Sequence, residues 1–188
     1  MGQPASHPPC LLLLAAFSRH DEALAWARQQ AAETWGPPAL ESPAFHFTET
    51  DYYRLSMGPD LKKIFFALGS AFDPAQLTDV KLLTNHWEQQ YAAAAGHGET
   101  RPLNVDPGYL TLGKLVLAST KDFAHRIYLS RGIYAEVTLY YKHHHWQHHQ
   151  YTFADYRRPD YQEFFTQCRE FLHRRQRDAK GSGPCFRS

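Results

Sequence analysis

The sequence predicts an α+β protein, with a ferredoxin-like β-α-β-β-α-β core extended by a helix, a β-hairpin and a C-terminal helix. Three observations indicate this class. An uninterrupted apolar run, Leu11–Phe17, is typical of a buried strand. The stretch Asp21–Trp35, whose apolar residues recur at helical spacing, follows it directly. Asp73-Pro74 then supplies the start of a second helix, between further extended segments.

The first half of the chain supplies most of that core. Ser18 is expected to cap the first helix, and Gly36-Pro37-Pro38 is expected to end it. Alternating residues predict an extended segment over Ala39–Phe47, and an apolar run predicts a strand over Leu61–Phe72. The helix that starts at Asp73 is expected to run to about residue 95.

The second half of the chain completes the β-α-β-β-α-β order and adds further elements to it. A strand is expected from Leu103 to Val105, and apolar spacing favours a helix from Leu110 to Ser119. Arg126–Leu129 and Ile133–Tyr141 predict a hairpin around a short glycine-containing turn. A last helix is expected over about Pro159–Arg175.

Length and composition predict one domain. The boundaries are a disordered N-terminus at 1–9, a single α+β domain at 10–175 and a disordered tail at 176–188. The net charge of +1 gives no general attraction to nucleic acid or membrane. Three widely spaced cysteines disfavour a disulfide framework and suit a reducing cytoplasm. The apolar run near the N-terminus is too short to span a membrane.

Leu103–Lys142 carries the densest set of chemically useful residues, and it contains a near match to a phosphate-binding loop. Gly108 to Lys114 fits G-x-x-x-x-G-K, but Leu115 replaces the Ser or Thr that binds magnesium. Asp106-Pro107 also stands where a buried strand should lead into the loop. The sequence therefore disfavours a GTPase and favours a turn followed by a helix.

The first functional hypothesis is the binding of a phosphorylated or anionic ligand, a nucleotide or RNA. Two permanent cations and an imidazole fall within six residues at 121–126, beside Asp122, and such groups hold phosphates or carboxylates. The expected ligand-binding residues are Lys114, Lys121, Arg126, Tyr109, Tyr128, Tyr134 and Asn104. Asp122 capping a local turn, with its neighbours solvated, is the alternative.

The second hypothesis is a metal-assisted hydrolase or transferase. Asp51 and Asp106 would bind a divalent ion such as magnesium, and His125 and Glu136 would be the catalytic acid–base pair. Period-two alternation predicts that Tyr134, Glu136, Thr138 and Tyr140 share one face, with Arg126 as a partner for Glu136. Asn104 and Asp106 could equally stabilise a turn at Pro107-Gly108.

Two further interpretations remain. A non-catalytic interaction scaffold would show an exposed apolar patch and no deep polar pocket. The run His143–His149 holds five of the twelve histidines, and an exposed loop with weak, adventitious metal affinity is expected there. The sequence does not determine the oligomeric state.

Several long motifs resemble one known family, the bacterial domain of unknown function 4416 family. They are Asp51-Tyr52-Tyr53 with Met57-Gly58, Asn104 to Leu110, Lys114 to Asp122, His125 to Leu129, Gly132 to Leu139, and Asp155-Tyr156-Arg157. The resemblance runs from about Leu11 to Leu172 and implies a small cytoplasmic bacterial protein. Some members are labelled GTP-binding, but the resemblance carries over no catalytic residue. The histidine run departs from the family pattern.

Overall fold

The computed structural model describes residues 2–50 and 52–181, and its centre is one antiparallel sheet. The strands are β1 Cys10–Ser18, β2 Pro38–Glu41, β3 Phe45–His46, β4 Lys62–Phe72, β5 Asn104–Leu110, β6 Lys114–Ser119, β7 Ile127–Ser130, β8 Ile133–Lys142 and β9 His145–His148. Within the described residues their order is β2-β4-β1-β5-β6-β8-β7, with β3 beside β4 and β9 beside β8.

Helices cover both faces of this sheet, so the predicted α+β class is confirmed. They are α1 Asp21–Trp35, α2 Arg54–Met57, α3 Leu77–Ala94 and α4 Pro159–Gly181, with short 3-10 turns at Pro74–Gln76 and Asp155–Arg157. None of the described helices combines the length and apolar character that a membrane span requires.

β1 lies at the centre of the fold and is buried on both faces. Leu12 and Leu14 pack against α1 and α3, whereas Leu11 and Leu13 pack against α4. Burying each such side chain contributes roughly 1.5–3 kcal/mol. Burial on both sides explains why the sequence shows an unbroken apolar run here instead of alternation.

The starts of α1 and α3 agree with the sequence in position and differ in capping detail. Asp73 accepts a hydrogen bond from the amide of Ala75, as expected for a residue that opens a helix at proline. Ser18 does not cap α1. Its hydroxyl accepts from the His20 amide at 3.0 Å and donates to the Pro102 carbonyl at 2.5 Å, so it joins β1 to the chain before β5.

The expected helix over Leu110–Ser119 is wrong, because most of this stretch is strand β6. Leu115 and Leu117 pack in the cluster under α4, whereas Val116 and Ala118 pack beside Leu77 of α3. A strand buried on both faces has no polar alternation, so its apolar residues also match helical spacing. The G-x-x-x-x-G-K segment is consequently a hairpin between β5 and β6, without the strand–loop–helix geometry of a phosphate loop.

Three local predictions also need correction. The turn expected at Pro107-Gly108 is absent, because β5 continues through it to Leu110. The histidine run is not a loop: His143 and His144 have φ values of 52° and 66°, which suit a tight hairpin turn, and β9 follows. The pairing of β6 with β8 shifts between Val137 and Leu139, so Glu136 and Leu139 lie on the same face of the sheet. Tyr140 therefore lies on the opposite face from Glu136, and the expected shared polar face is broken.

The hairpin β7–β8 agrees with the prediction over Arg126–Leu129 and Ile133–Tyr141. α4 continues to Gly181 instead of ending near Arg175. The last part of the predicted disordered tail, 182–188, lies outside the described residues.

Candidate functional site

The sheet opens at one place, between β5 and β6. The two strands pair only from Gly108 to Leu110, although β5 stays paired with β1 back to Asn104. Gly108 allows the close approach, because a Cβ there would collide with the carbonyl oxygen of Val116. Pro107 has no amide hydrogen to extend the ladder. Where the strands diverge, they leave a cavity of about 430 Å³.

Charged and aromatic side chains line this cavity. The cations are Lys63, Lys81, Arg101, Lys121 and Arg126. The carboxylates are Glu49, Asp106, Glu136 and Asp155. The aromatic rings are Phe17, Phe47, Tyr52, Tyr53, Phe153 and Tyr156. Strand ends, α3 and the loops between elements all contribute, so the site exists only in the folded chain.

The cavity floor consists of a buried ion pair inside aromatic rings. Lys63 Nζ lies 2.5 Å from Asp155 Oδ2, and both side chains are only 5% exposed. The same Nζ lies 4.8 Å and 4.6 Å from the ring centroids of Phe17 and Phe47. Burial, with the charge of Asp155, raises the pKa of the Tyr156 hydroxyl well above its ordinary value. The floor is therefore buried and tightly paired.

The side wall next to α3 is a chain of hydrogen bonds centred on Asp106. Its Oδ1 accepts from Lys81 Nζ at 2.8 Å, and its Oδ2 accepts from Asn104 Nδ2 at 2.8 Å. Burial alone would raise the pKa of Asp106, but the attraction and hydrogen bond of Lys81 outweigh it and lower that pKa. Asp106 is consequently an ionised carboxylate that already has two donors.

Arg101 extends the same wall toward solvent. Its guanidinium donates to Glu88 Oε2 at 2.9 Å and also contacts the side-chain oxygen of Asn104. Burial raises the pKa of Glu88, although Lys81 and Arg101 oppose the shift. Arg101 is more than a third exposed, so part of its guanidinium remains accessible from the cavity.

Glu136 organises the opposite wall. Its Oε2 accepts from Arg126 Nε at 2.8 Å and lies 3.0 Å from His125 Nε2. The imidazole of His125 stacks on Tyr151 with ring centroids 4.7 Å apart. Its Nδ1 is buried and has no hydrogen-bond partner among the described residues. Glu136 thus fixes one imidazole nitrogen and leaves the other free.

Lys121 and Tyr52 form the cavity mouth with Thr50. Lys121 Nζ donates to the Tyr52 hydroxyl at 2.7 Å and lies 4.7 Å from the centroid of that ring. Both side chains are exposed. The hydrogen bond from Lys121 lowers the pKa of the Tyr52 hydroxyl below its ordinary value. Within the described residues, Lys121 is a lining cation with no carboxylate partner.

A family model described as Domain of unknown function (DUF4416) matches residues 8–171. The chain belongs to this family. Searches of curated proteins and of solved structures gave no significant match. DUF4416 membership confirms the resemblance seen in the sequence motifs and assigns no ligand or reaction.

In this DUF4416 chain, the fold brings five of the sequence-predicted site residues to one cavity: Asn104, Asp106, Lys121, Arg126 and Glu136. His125 joins them through Glu136. The predicted pairing of Arg126 with Glu136 is confirmed.

The other predicted residues lie elsewhere. Tyr109 and Lys114 line a wider groove across β6 and β8, which His125 and Glu136 also border. Tyr128 and Tyr134 pack against each other on the β7–β8 hairpin, with ring centroids 5.3 Å apart. Neither tyrosine lines the cavity or the groove. Asp51 lies outside the described residues.

The predicted magnesium site stays a prediction, because Asp51 lies outside the described residues. Asp106 already accepts from Lys81 and Asn104, and Glu136 from Arg126. Among the described residues, neither belongs to a group of three metal-ligating side chains. The role of Asp51 stays a prediction.

Sequence reasoning missed the floor of this DUF4416 cavity, and it missed Lys81 and Arg101 in the wall next to α3. Lys63 stands beside Lys62 at the start of an apolar strand, which was an available signal, because a lysine buried there needs a partner. Asp155 belongs to one of the motifs that the family resemblance rests on. Their pairing could not be read from the sequence, since 92 residues separate them.

Proposed function

We propose that the cavity binds a small anionic molecule with a planar aromatic group, of which a nucleotide is the natural example. The observation that supports this proposal most directly is the cavity's lining, where five cationic side chains and six aromatic rings surround one space. Its volume of about 430 Å³ lies within the range of small-molecule sites.

The charges suggest how such a ligand would lie. Lys63, Lys81 and Arg126 are held by carboxylates, so they make the interior polar without offering a free charge. Among the described residues, the Tyr52 hydroxyl is the side-chain partner seen for Lys121, and Arg101 is partly exposed. An anionic group would therefore lie near the mouth, between Lys121 and Arg101.

The aromatic side chains suggest where the planar group would lie. Tyr52 is exposed beside Lys121, and Phe153 lies 5.8 Å from the guanidinium of Arg126. Stacking of a base on an aromatic side chain contributes about 1–3 kcal/mol. A ring between these groups would stack while its phosphate stays close to Lys121.

A calorimetric titration of the full chain with nucleotides, matching nucleosides and inorganic phosphate tests the proposal. We expect a nucleotide to bind and the matching nucleoside to bind more weakly. Lys121→Ala should weaken nucleotide binding about tenfold, which corresponds to about 1.4 kcal/mol. The matched control is Lys142→Ala, because Lys142 is an exposed lysine outside the cavity.

Three outcomes would contradict the proposal. The first is that no nucleotide binds, and the second is that Lys121→Ala binds as tightly as the Lys142→Ala control. The third is that only single-stranded RNA binds, with a steep salt dependence. This last result would instead indicate an extended nucleic-acid surface.

Acid–base chemistry on the bound ligand, as in a hydrolase or transferase, is the second candidate. His125 supports it, because Glu136 holds Nε2 and the buried Nδ1 has no hydrogen-bond partner among the described residues. Phosphate release from nucleotides, measured with and without magnesium, should then fall at least ~100-fold in His125→Gln. Binding without turnover would leave the ligand-binding function alone. The cavity itself weighs against a scaffold that lacks a polar pocket.

We also propose a ferredoxin-like core and a cytoplasmic location. The strand order β2-β4-β1-β5, with α1 and α3 in one cluster on the same face of β1, supports the first. Cys10 and Cys168, both free and buried, support the second.

A further inference from the structure

We propose that His20, Glu22 and His97 form a site for a transition-metal ion of the zinc class. These residues lie away from the cavity lining, at the start of α1 and in the loop after α3. The proposal does not depend on the function assigned to the cavity.

The three ligand atoms are already close together. Glu22 Oε1 lies 3.9 Å from His20 Nδ1 and 4.0 Å from His97 Nε2. One ligand atom from each residue lies within 4.8 Å of the others. Tetrahedral zinc with bonds of about 2.0–2.1 Å needs ligand atoms roughly 3.4 Å apart. Closing that difference requires the His97 ring, which stacks face to face on His20, to turn out of that stack, because an imidazole binds a metal through a lone pair in its own plane.

Glu99 prepares His20 for this role. Its Oε2 lies 3.1 Å from His20 Nε2, and its Oε1 accepts from Arg19 at 3.0 Å. With the proton on Nε2 shared with Glu99, the lone pair of His20 is on Nδ1, the atom that faces Glu22. Metal-binding histidines commonly donate their second nitrogen to a carboxylate in this way, which orients the ring.

His97 is the adaptable ligand. Its ring stacks on His20 with centroids 3.8 Å apart, and its Nε2 lies 3.1 Å from the Tyr91 hydroxyl. Metal binding requires Nε2 of His97 to be deprotonated, and its lone pair would then bind the ion instead of the Tyr91 hydroxyl. Removing that hydroxyl should therefore not weaken metal binding, whereas removing the imidazole should.

The donor set selects the class of ion. Two imidazoles and one carboxylate suit zinc, cobalt, nickel or copper, whereas magnesium and calcium prefer oxygen ligands alone. Side-chain exposures of 22% for His20, 14% for His97 and 66% for Glu22 leave the group accessible to an ion. The ion would join α1 to the loop that carries Arg101 into the cavity wall.

Zinc binding by the exposed histidine run must be distinguished from zinc binding at this site. Its five histidines can bind zinc weakly, so they are replaced by glutamine in a background variant of the full chain: His143→Gln, His144→Gln, His145→Gln, His148→Gln and His149→Gln. Zinc binding to this background is measured by equilibrium dialysis, and cobalt binding by visible absorption. We expect one tight zinc equivalent and a cobalt spectrum of low coordination number.

Further changes in the same background locate the ion. His97→Gln should abolish the equivalent, and Glu22→Gln, at an exposed helix position that does not threaten the fold, should weaken it. Glu99→Gln should weaken binding about tenfold through the orientation of His20. Tyr91→Phe should bind zinc at least as tightly as the background. His86→Gln is the matched control, because His86 is an exposed histidine of α3 outside the cluster.

Two results would overturn the proposal. One is a background variant that binds no zinc more tightly than millimolar. The other is equal zinc binding by the Glu22→Gln, His97→Gln and His86→Gln variants. Circular dichroism of each variant ensures that a lost equivalent reflects a lost ligand and not an unfolded chain.

Discussion

The floor and the mouth of the cavity use lysine in opposite ways. At the floor, Lys63 is 4% exposed, pairs with Asp155 and lies among aromatic rings. At the mouth, Lys121 is exposed and donates to a tyrosine hydroxyl instead of a carboxylate. A buried ammonium group needs a carboxylate because it has lost its water, whereas an exposed one keeps its hydration and stays available. The floor therefore depends on its ion pair staying intact, whereas the ammonium group at the mouth is accessible to the ligand proposed above.

The largest expected effect is at the floor. Lys63→Met leaves the Asp155 carboxylate buried without its partner, so we expect the free energy of unfolding to fall by about 3–5 kcal/mol. Urea unfolding followed by tryptophan fluorescence measures it. Lys62→Met is the control, because the neighbouring Lys62 pairs with exposed Asp21, and it should cost less than about 1 kcal/mol. Equal losses in the two variants would show that the buried pair at the floor contributes no more than an exposed ion pair.

Glu136→Gln should have the next largest effect. The Glu136 side chain is 2% exposed and pairs with the guanidinium of Arg126, which is 8% exposed. Replacing the carboxylate by an amide of the same shape leaves that cation without its counter-charge, at a cost of about 2 kcal/mol. Glu163→Gln on the exposed face of α4 is the control. If Glu136→Gln lowered the free energy of unfolding no more than Glu163→Gln, the Arg126–Glu136 pair would contribute as little to stability as the exposed groups at the mouth.

The sequence predicted the parts of this fold that local patterns determine. β1, α1 and the β7–β8 hairpin follow from an apolar run, helical spacing and a glycine turn, each within one short segment. Strand β6 was not predicted, because Leu115 and Val116 pack in two different core clusters. Burial on both faces removes the alternation that marks a half-buried strand.

The candidate site was predicted only in part, because local sequence patterns show only residues that are close together in the chain. Lys121, Arg126 and Glu136 are near one another in sequence, so their density was visible. The pairs that connect distant segments were not: Lys63 meets Asp155, and Lys81 meets Asp106, only because the strand order brings them together. The sequence listed Lys121 and Arg126 together as ligand-binding residues, and only the folded chain shows that Arg126 pairs with a carboxylate whereas Lys121 contacts a tyrosine hydroxyl.

The wall next to α3 should make the free energy of unfolding depend on pH in acid, through the carboxylate of Asp106. Burial would raise the pKa of Asp106, but Lys81 and Asn104 outweigh it and lower the folded-state pKa below the ordinary value. The stability that this group contributes is therefore fully present above its ordinary pKa and is lost as pH falls through the folded-state pKa.

We expect the unfolding free energy of the unmodified chain to fall more steeply in acid than that of Asp106→Asn. Urea unfolding across an acidic pH series measures both slopes. Asp60→Asn, an exposed carboxylate for which no such partner is seen among the described residues, should keep the steeper slope. Parallel slopes for the unmodified chain and Asp106→Asn would show that the Lys81–Asp106 pair adds nothing to stability.

The smallest effect is at the mouth, where Tyr52 reports on Lys121. The hydrogen bond from Lys121 lowers the pKa of the Tyr52 hydroxyl, because the ammonium group favours the phenolate. Lys121→Ala should return that pKa toward its ordinary value with little change in stability, and Lys142→Ala should leave it lowered. Carbon NMR of labelled tyrosine, with Tyr52→Phe for assignment, measures it. An unchanged pKa in Lys121→Ala would mean that the two side chains do not meet in solution.

A ligand anion that draws Lys121 away should raise the pKa of Tyr52, as Lys121→Ala does, so the same resonance would report occupation of the cavity.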